Sequence, residues 1–143
     1  MLKKALNYLE FPYSVEEVKQ IILQPENFNI RDFQSCKRLD PSTWTEDYGD
    51  DYLYKYHVAE NSEQRIVLEY YKIMDTGNYV KQLIFEFLPH DETSCQVSVS
   101  EHVKSGNIIR RITIFADSYS KVSTYFIDML NRILKYCKST YHK

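Results

Sequence analysis

The longest periodic stretch of this chain is residues 116–137, which read ADSYSKVSTYFIDMLNRILKYC. Its apolar residues recur at spacings of three and four, and this spacing places them on one face of an α-helix. They are Ala116, Tyr119, Val122, Phe126, Met129, Leu130, Ile133 and Cys137. A helix of about 20 residues is roughly 30 Å long, which is enough to cross a small sheet. We therefore predict a helix that covers the apolar face of a sheet, with only a frayed turn and a basic tail after Tyr136. The pattern leaves the start of this helix open by several residues, because residues 112–115, ITIF, are also typical of a strand.

The residues before this helix alternate between apolar and polar with a period of two, which is typical of half-buried β-strands. The alternation predicts six strands: residues 2–11, a short strand around Cys36 and Leu39, and residues 52–58, 66–74, 79–87 and 95–103. Residues 46–51, EDYGDD, are strongly acidic and are predicted to form a loop. Tight turns are predicted at residues 75–78 and 105–107, because each contains a glycine between two periodic segments.

Two short helices are predicted between the first and second strands. Ser14 and Glu17 have the spacing of a capping box, in which each side chain satisfies a backbone amide of the other residue. This box predicts a helix that begins after Ser14. Pro25 disfavours helix in the residue before it but is well placed to open a new one. Residues 25–30 are therefore predicted to form the second short helix.

The length and composition favour a single domain over residues 1–143. No apolar run approaches the roughly 18 residues of a membrane span, and the N-terminus lacks the features of a signal peptide, so we expect a cytoplasmic protein. A net charge of −2 argues against general binding to nucleic acid. The three cysteines, Cys36, Cys95 and Cys137, are widely spaced, which favours neither a disulfide framework nor a zinc site.

The predicted elements follow one another in an α+β order, with one strand, two short helices, a run of antiparallel strands and a long final helix. In this order the chain resembles the START-like superfamily, also called SRPBCC, whose helix-grip fold wraps a curved sheet of six to seven strands around a C-terminal helix. The resemblance rests on FPYSVEEV at residues 11–18, on an inward Glu101 in the last strand and on the terminal helix. It is strongest to an uncharacterised family of small proteins from low-GC Gram-positive bacteria.

This resemblance implies a small hydrophobic ligand in a cavity between the sheet and the helix. Other members of the superfamily include cyclases, lipid carriers and chaperone regulators, so the resemblance leaves the activity open.

Glu101 is the most informative single residue of the last strand. It lies between Val99 and Val103 on the face that is predicted to point inward. A buried carboxylate without a partner is costly, so we expect Glu101 to be paired, hydrogen-bonded or protonated. It would anchor a ligand, act as an acid or base, or pair structurally with a tyrosine hydroxyl or a cation near the cavity mouth.

The aromatic content suggests the walls of such a cavity, since the chain has 13 tyrosines. Tyr52, Tyr54, Tyr56 and Tyr70 are placed to point into one space, which suits either an aromatic ligand or a filled core. Together with Glu101, the predicted ligand-binding residues are Tyr54, Tyr56, Tyr70, Phe85, Phe87, Val99, Phe126 and Met129.

Two other functions compete with ligand binding. A cyclase or hydrolase would need Glu101 and a tyrosine or histidine to converge on one point. A protein-interaction module would expose Tyr52, Tyr54 and Tyr56 as a strip. The four histidines share no ligand spacing, so we predict neither a metal nor a cofactor and assign no catalytic residue. The sequence leaves a homodimer open.

Overall fold

A computed structural model describes the backbone of residues 7–73, 80–104 and 108–141, and the side chains of these residues except 104 and 108–123. The predicted turns at residues 75–78 and 105–107, and the predicted strand residues 2–6, lie outside the described residues. The elements are β1 (Asn7–Phe11), α1 (Val15–Ile22), β2 (Ser35–Asp40), β3 (Thr43–Asp47), β4 (Leu53–Asn61), β5 (Arg65–Lys72), β6 (Val80–Pro89), β7 (Cys95–Lys104) and α2 (Ile108–Tyr141).

The described strands form one antiparallel sheet of seven strands in the order β1-β7-β6-β5-β4-β3-β2. From β2 to β7, strands that follow one another in the chain are neighbours in the sheet, whereas β1 pairs with β7 at one edge and β2 forms the opposite edge. The pairing shifts by one residue between Val58 and Glu60 in β4 and again between Arg38 and Asp40 in β2. Such bulges bend a strand and increase its twist, which curves this half of the sheet.

The hydrophobic core lies between the inner face of the sheet and the helices. Alternate residues of β5, β6 and β7 and one face of α2 are at most 4% exposed: Ile66, Leu68, Leu83, Phe85, Phe87, Cys95, Val97, Val99, Phe126, Met129, Leu130, Ile133 and Cys137. This burial confirms the inward face predicted for the last strand. It also confirms the predicted apolar face of the terminal helix from Phe126 onward.

The capping box at α1 is confirmed. The backbone amide of Glu17 donates to Ser14 Oγ at 3.1 Å, and the amide of Ser14 donates to Glu17 Oε1 at 2.9 Å. This reciprocal pair satisfies two amides that the first turn would otherwise leave open. The helix then places Val18, Ile21 and Ile22 in the core.

The second short helix predicted at residues 25–30 is wrong. The chain makes a single turn there, in which the amides of Asn27 and Phe28 both donate to the carbonyl of Gln24. Asn29 then bonds through its side chain to both the amide and the carbonyl of Phe33. These side-chain bonds offer the backbone an alternative to helical pairing, so the turn is not continued.

The long helix extends beyond the periodic stretch at both ends. α2 begins at Ile108, where the sequence pattern left its start open, and it continues to Tyr141. The end of the helix is not frayed, because Cys137 is fully buried and the Tyr141 hydroxyl donates to the carbonyl of Glu17 at 2.8 Å. The last turn of α2 is therefore packed on α1.

Candidate functional site

A row of stacked aromatic rings lies on the inner face where β3, β4 and β5 run side by side. The register pairs Trp44 with Tyr56 and Tyr56 with Tyr70, so the three side chains point to the same face at the same height. The rings of Trp44 and Tyr56 are 5.7 Å apart and inclined by 2°, and those of Tyr56 and Tyr70 are 4.7 Å apart and inclined by 9°. We call these three residues the aromatic row.

Two further tyrosines extend this row edge to face. The ring of Tyr54 meets that of Tyr70 at 5.9 Å, and the ring of Tyr48 meets that of Tyr54 at 5.7 Å. Tyr52 does not join them, because it precedes β4 and is 50% exposed. Since Tyr56 is 1% exposed and Tyr54 is partly buried against the core, these tyrosines do not form the exposed strip that an interaction module would present.

Glu101 points inward from β7, as the alternation predicts, and its side chain is 11% exposed. Its Oε2 accepts a hydrogen bond of 2.5 Å from the Tyr70 hydroxyl. Lys81 Nζ lies 4.0 Å from Oε1 and 6.0 Å from the centre of the Tyr70 ring. Burial, and then the charge of Glu101, raise the pKa of Tyr70 well above its ordinary value, so Tyr70 stays protonated and donates.

A buried ion pair that the sequence analysis missed lies on the opposite side of the aromatic row. Arg31, in the segment after α1, pairs with Glu46 of β3, and neither side chain has exposed surface. Arg31 Nε donates to both oxygens of Glu46, at 2.9 and 3.1 Å, and Nη2 also donates to Oε2. The guanidinium carbon lies 4.6 Å from the centre of the Tyr56 ring, a cation–π contact that joins the pair to the row.

The prediction of an acidic loop at residues 46–51 is therefore wrong at its first two positions. β3 extends through Asp47, and Glu46 lies on the inner face beside Trp44. Besides Arg31, Glu46 accepts from the Trp44 indole at 2.9 Å and from the Tyr48 hydroxyl at 2.6 Å. The alternation of Trp44, Glu46 and Tyr48 with a period of two is the sequence signal that could have placed Glu46 in a strand.

The pair remains ionised although it is buried. Burial alone would raise the pKa of Glu46, but the charge of Arg31 and the hydrogen bonds from its neighbours leave that pKa below its ordinary value. Burial alone would likewise lower the pKa of Arg31, yet the charge of Glu46 raises it well above the usual range. The site thus contains an ionised carboxylate and a protonated guanidinium at neutral pH.

Tyr125 of helix α2 is partly buried against the core, and its hydroxyl responds to the charges of both polar groups. Burial raises the pKa of its hydroxyl, the charge of Arg31 opposes this rise, and the charges of Glu101 and Glu46 add to it. The sequence analysis omitted Tyr125 from the apolar helix face, although its spacing of four from Met129 is helical.

The predicted site residues thus fall into two groups within one buried cluster. Glu101, Tyr54, Tyr56 and Tyr70 meet at the polar, aromatic end described above. The other predicted wall residues are packed in the apolar core: Phe85, Phe87, Val99, Phe126 and Met129. Their contact with a ligand stays a prediction.

A separate open groove lies on the exposed side of α2. It has a volume of about 500 Å³ and is lined by Asn131, Leu134, Lys135, Lys138 and Ser139. It contains no member of the aromatic row and no carboxylate, so it is distinct from the site at Glu101. Among the residues with described side chains, no group of three His, Cys, Asp or Glu is placed to hold a metal ion.

Comparison with known proteins identifies solved structures with a similar fold. No protein-family model and no curated protein matches the sequence. Among solved structures, norcoclaurine synthase from Thalictrum flavum is 12% identical with a TM-score of 0.68, and the match covers 99% of this chain and 95% of that one. A START superfamily protein from Mycobacterium smegmatis is 14% identical with a TM-score of 0.60, and the match covers 91% and 92% of the two chains. The fold is a helix-grip fold.

A third structural relative is longer than this chain. DynU16, a protein of the dynemicin biosynthetic locus, is 12% identical with a TM-score of 0.67. The match covers 94% of this chain but only 47% of DynU16, so this chain spans about half the length of that relative. At these identities the likeness extends to the helix-grip fold and no further. Within the described part of the chain, no helix is both long enough and apolar enough to cross a membrane.

Proposed function

We propose that this helix-grip protein binds a small aromatic molecule between the sheet and α2, with Glu101 as its polar anchor. The observation that carries this proposal is the Tyr70–Glu101 hydrogen bond at the end of the aromatic row. Tyr70 occupies Oε2 of the carboxylate, whereas Lys81 stands 4.0 Å from Oε1, beyond hydrogen-bond distance. Among the described side chains, none donates to Oε1, which leaves this oxygen for a donor on the ligand.

The rings around Glu101 suit an aromatic ligand. Tyr54 and Tyr70 meet edge to face, and the row from Trp44 to Tyr70 presents flat rings against which another ring could stack. In this proposal Phe85, Phe87, Val99, Phe126 and Met129 form the apolar walls deeper in the interior. A solved complex of norcoclaurine synthase, 11% identical to this chain with a TM-score of 0.64, contains dopamine and hydroxybenzaldehyde. Phenolic amines and aldehydes are therefore sensible first probes.

Calorimetric titration with a panel of phenols, flavonoid-like compounds, sterols and fatty acids tests the proposal. We expect at least one phenol to bind with a Kd below about 1 mM, and Glu101→Gln to weaken it about tenfold, or about 1.4 kcal/mol. Glu86→Gln, an exposed change on the outer face of β6, is the matched control and should leave the Kd unchanged. If no compound in the panel binds more tightly than about 1 mM, the proposal fails.

Acid–base catalysis at the same carboxylate is a second candidate function, and the 2.5 Å Tyr70–Glu101 bond favours it. Tyr70 would hold Glu101 in one orientation while Oε1 takes a proton from a bound substrate, and Lys81 would stabilise the developing negative charge. Nuclear magnetic resonance in D₂O would detect this as deuterium exchange at the carbon beside the carbonyl of a bound ketone. Exchange that is absent, or equal in the wild type and in Glu101→Gln, would reject catalysis and leave binding intact.

A further inference from the structure

Arg31 carries a hydrogen-bond donor that no described side chain satisfies. Its Nη1 is buried and has no acceptor in the described part of the chain, whereas Nε and Nη2 are both bonded to Glu46. A buried donor without a partner is unfavourable, and such groups are rare in folded proteins. Arg31 Nη1 therefore needs a hydrogen-bond acceptor from outside the described side chains.

Glu46 cannot serve as that acceptor. A carboxylate has about four lone-pair sites, and those of Glu46 are occupied by Arg31 Nε and Nη2, the Trp44 indole and the Tyr48 hydroxyl. The guanidinium is also planar, so pairing through Nε and Nη2 directs Nη1 away from the carboxylate. Because the guanidinium lies over the Tyr56 ring, Nη1 remains beside the aromatic row while facing away from Glu46.

Two kinds of polar group therefore flank the proposed ligand site. Glu101 offers a hydrogen-bond acceptor beyond Tyr70, and Arg31 offers a donor beside Tyr56, which is stacked on Tyr70. A ligand that spans the two sides would need a donor toward Glu101 and an acceptor toward Arg31.

We propose that Arg31 Nη1 binds a neutral acceptor oxygen of the ligand, so that the preferred ligand is an uncharged phenol with a carbonyl group on the far side of its ring. This inference rests on the proposed binding of an aromatic molecule at Glu101. The acceptor is neutral because Glu46 already balances the charge of Arg31. A ligand carboxylate would add a second buried negative charge beside Glu46, and the Arg38 guanidinium, 5.0 Å from the centre of the Trp44 ring, is already paired with Glu26.

Three phenols of matched shape test this choice. Para-hydroxyacetophenone has the neutral carbonyl, para-ethylphenol replaces that carbonyl with methylene, and para-hydroxybenzoate replaces it with a carboxylate. We expect para-hydroxyacetophenone to bind the wild-type protein about tenfold more tightly than either of the others. In Arg31→Lys the charge opposite Glu46 is kept but the planar fork is lost, so the advantage over para-ethylphenol should fall below about twofold.

A second readout needs only the wild-type protein, so the inference remains testable if Arg31→Lys does not fold. The carbonyl stretching frequency of bound para-hydroxyacetophenone should fall below its value in water, as expected for a strong hydrogen bond from a buried guanidinium. Equal binding of the ketone and para-ethylphenol, an unshifted carbonyl, or tightest binding of para-hydroxybenzoate would each overturn this inference and leave binding at Glu101 standing. Failure of the entire phenol and lipid panel would instead remove the proposed function.

Discussion

The side chains of Arg31 and Glu46, 15 residues apart in the chain, are joined by a bidentate ion pair from which solvent is excluded. Removing one partner leaves the other charge buried without its counterion, which typically costs about 3 to 5 kcal/mol. We therefore expect Glu46→Leu and Arg31→Met each to lower the free energy of unfolding by that amount in urea titrations.

Two controls distinguish the effect of a buried ion pair on stability from the effect of ion pairs in general. Glu60→Gln breaks the exposed Glu60–Arg65 pair, whose atoms are 3.0 Å apart, and should leave the urea midpoint unchanged. The double variant Arg31→Met/Glu46→Leu removes both charges together and should be less destabilised than the sum of the two single changes. Strict additivity would show that the pair does not act as a unit.

The free energy of unfolding should depend on pH because Glu46 of the same pair changes its ionisation. Because the folded-state pKa of Glu46 lies below its unfolded value, its ionised form stabilises the fold above the unfolded pKa of about 4.3. This contribution is lost as the pH falls from about 4.3 through the folded-state pKa. The free energy of unfolding should thus fall more steeply between about pH 5 and pH 2 in the wild type than in Glu46→Gln, measured by urea titration at each pH. Parallel slopes would mean that Glu46 does not titrate with a lowered pKa.

The elements that the sequence predicts best are those in which periodicity and burial agree. Cys95, Val97 and Val99 alternate with serine and glutamine, and the final helix repeats apolar residues at three and four. In both cases one face is apolar throughout, so a shift of register would expose it. The inward position of Glu101 follows from this alternation, which is why a polar site residue could be located from sequence alone.

Arg31 and Glu46 could not be found in the same way. A pattern of polar and apolar residues predicts that charged side chains are exposed to solvent. Arg31 and Glu46 are instead buried, because each is the counterion of the other and the two are far apart in the sequence. The start of α2 could not be fixed from the sequence for a local reason, since the residues just before 116, ITIF, have branched and aromatic side chains that are common in strands. The structure places them in a helix, so tertiary context overrides that local preference.

The reactivity of the cysteines follows from their burial. Burial raises the pKa of Cys36 and Cys95 to about 11 and that of Cys137 to about 12. Only about one thiol in a thousand is then ionised at pH 8 for the first two, and the thiolate is the reactive form. We expect iodoacetamide to modify the native protein slowly, at the partly exposed Cys36 first, with mass spectrometry locating the label. Modification of all three in urea is the control, and native Cys137 that reacts as fast as in urea would contradict this prediction.

The last turn of α2 should contribute measurably to stability, contrary to the expectation from sequence that the chain could end after Tyr136 without loss. Cys137 is fully buried, and the Tyr141 ring lies 5.9 Å from that of Tyr13 while its hydroxyl bonds to the carbonyl of Glu17. Losing this burial, ring contact and hydrogen bond should cost about 2 to 4 kcal/mol.

Urea titrations followed by circular dichroism on chains 1–136 and 1–141 measure this cost, and the full-length chain is the reference for both. Chain 1–141 keeps every contact named above and should match the full-length protein. Tyr141→Phe keeps the ring but removes the hydroxyl, so it should lose only about 0.5 to 1.5 kcal/mol. If chain 1–136 were as stable as chain 1–141, the packing of α2 on α1 beyond Tyr136 would contribute nothing, and the helix would effectively end where the sequence pattern ends.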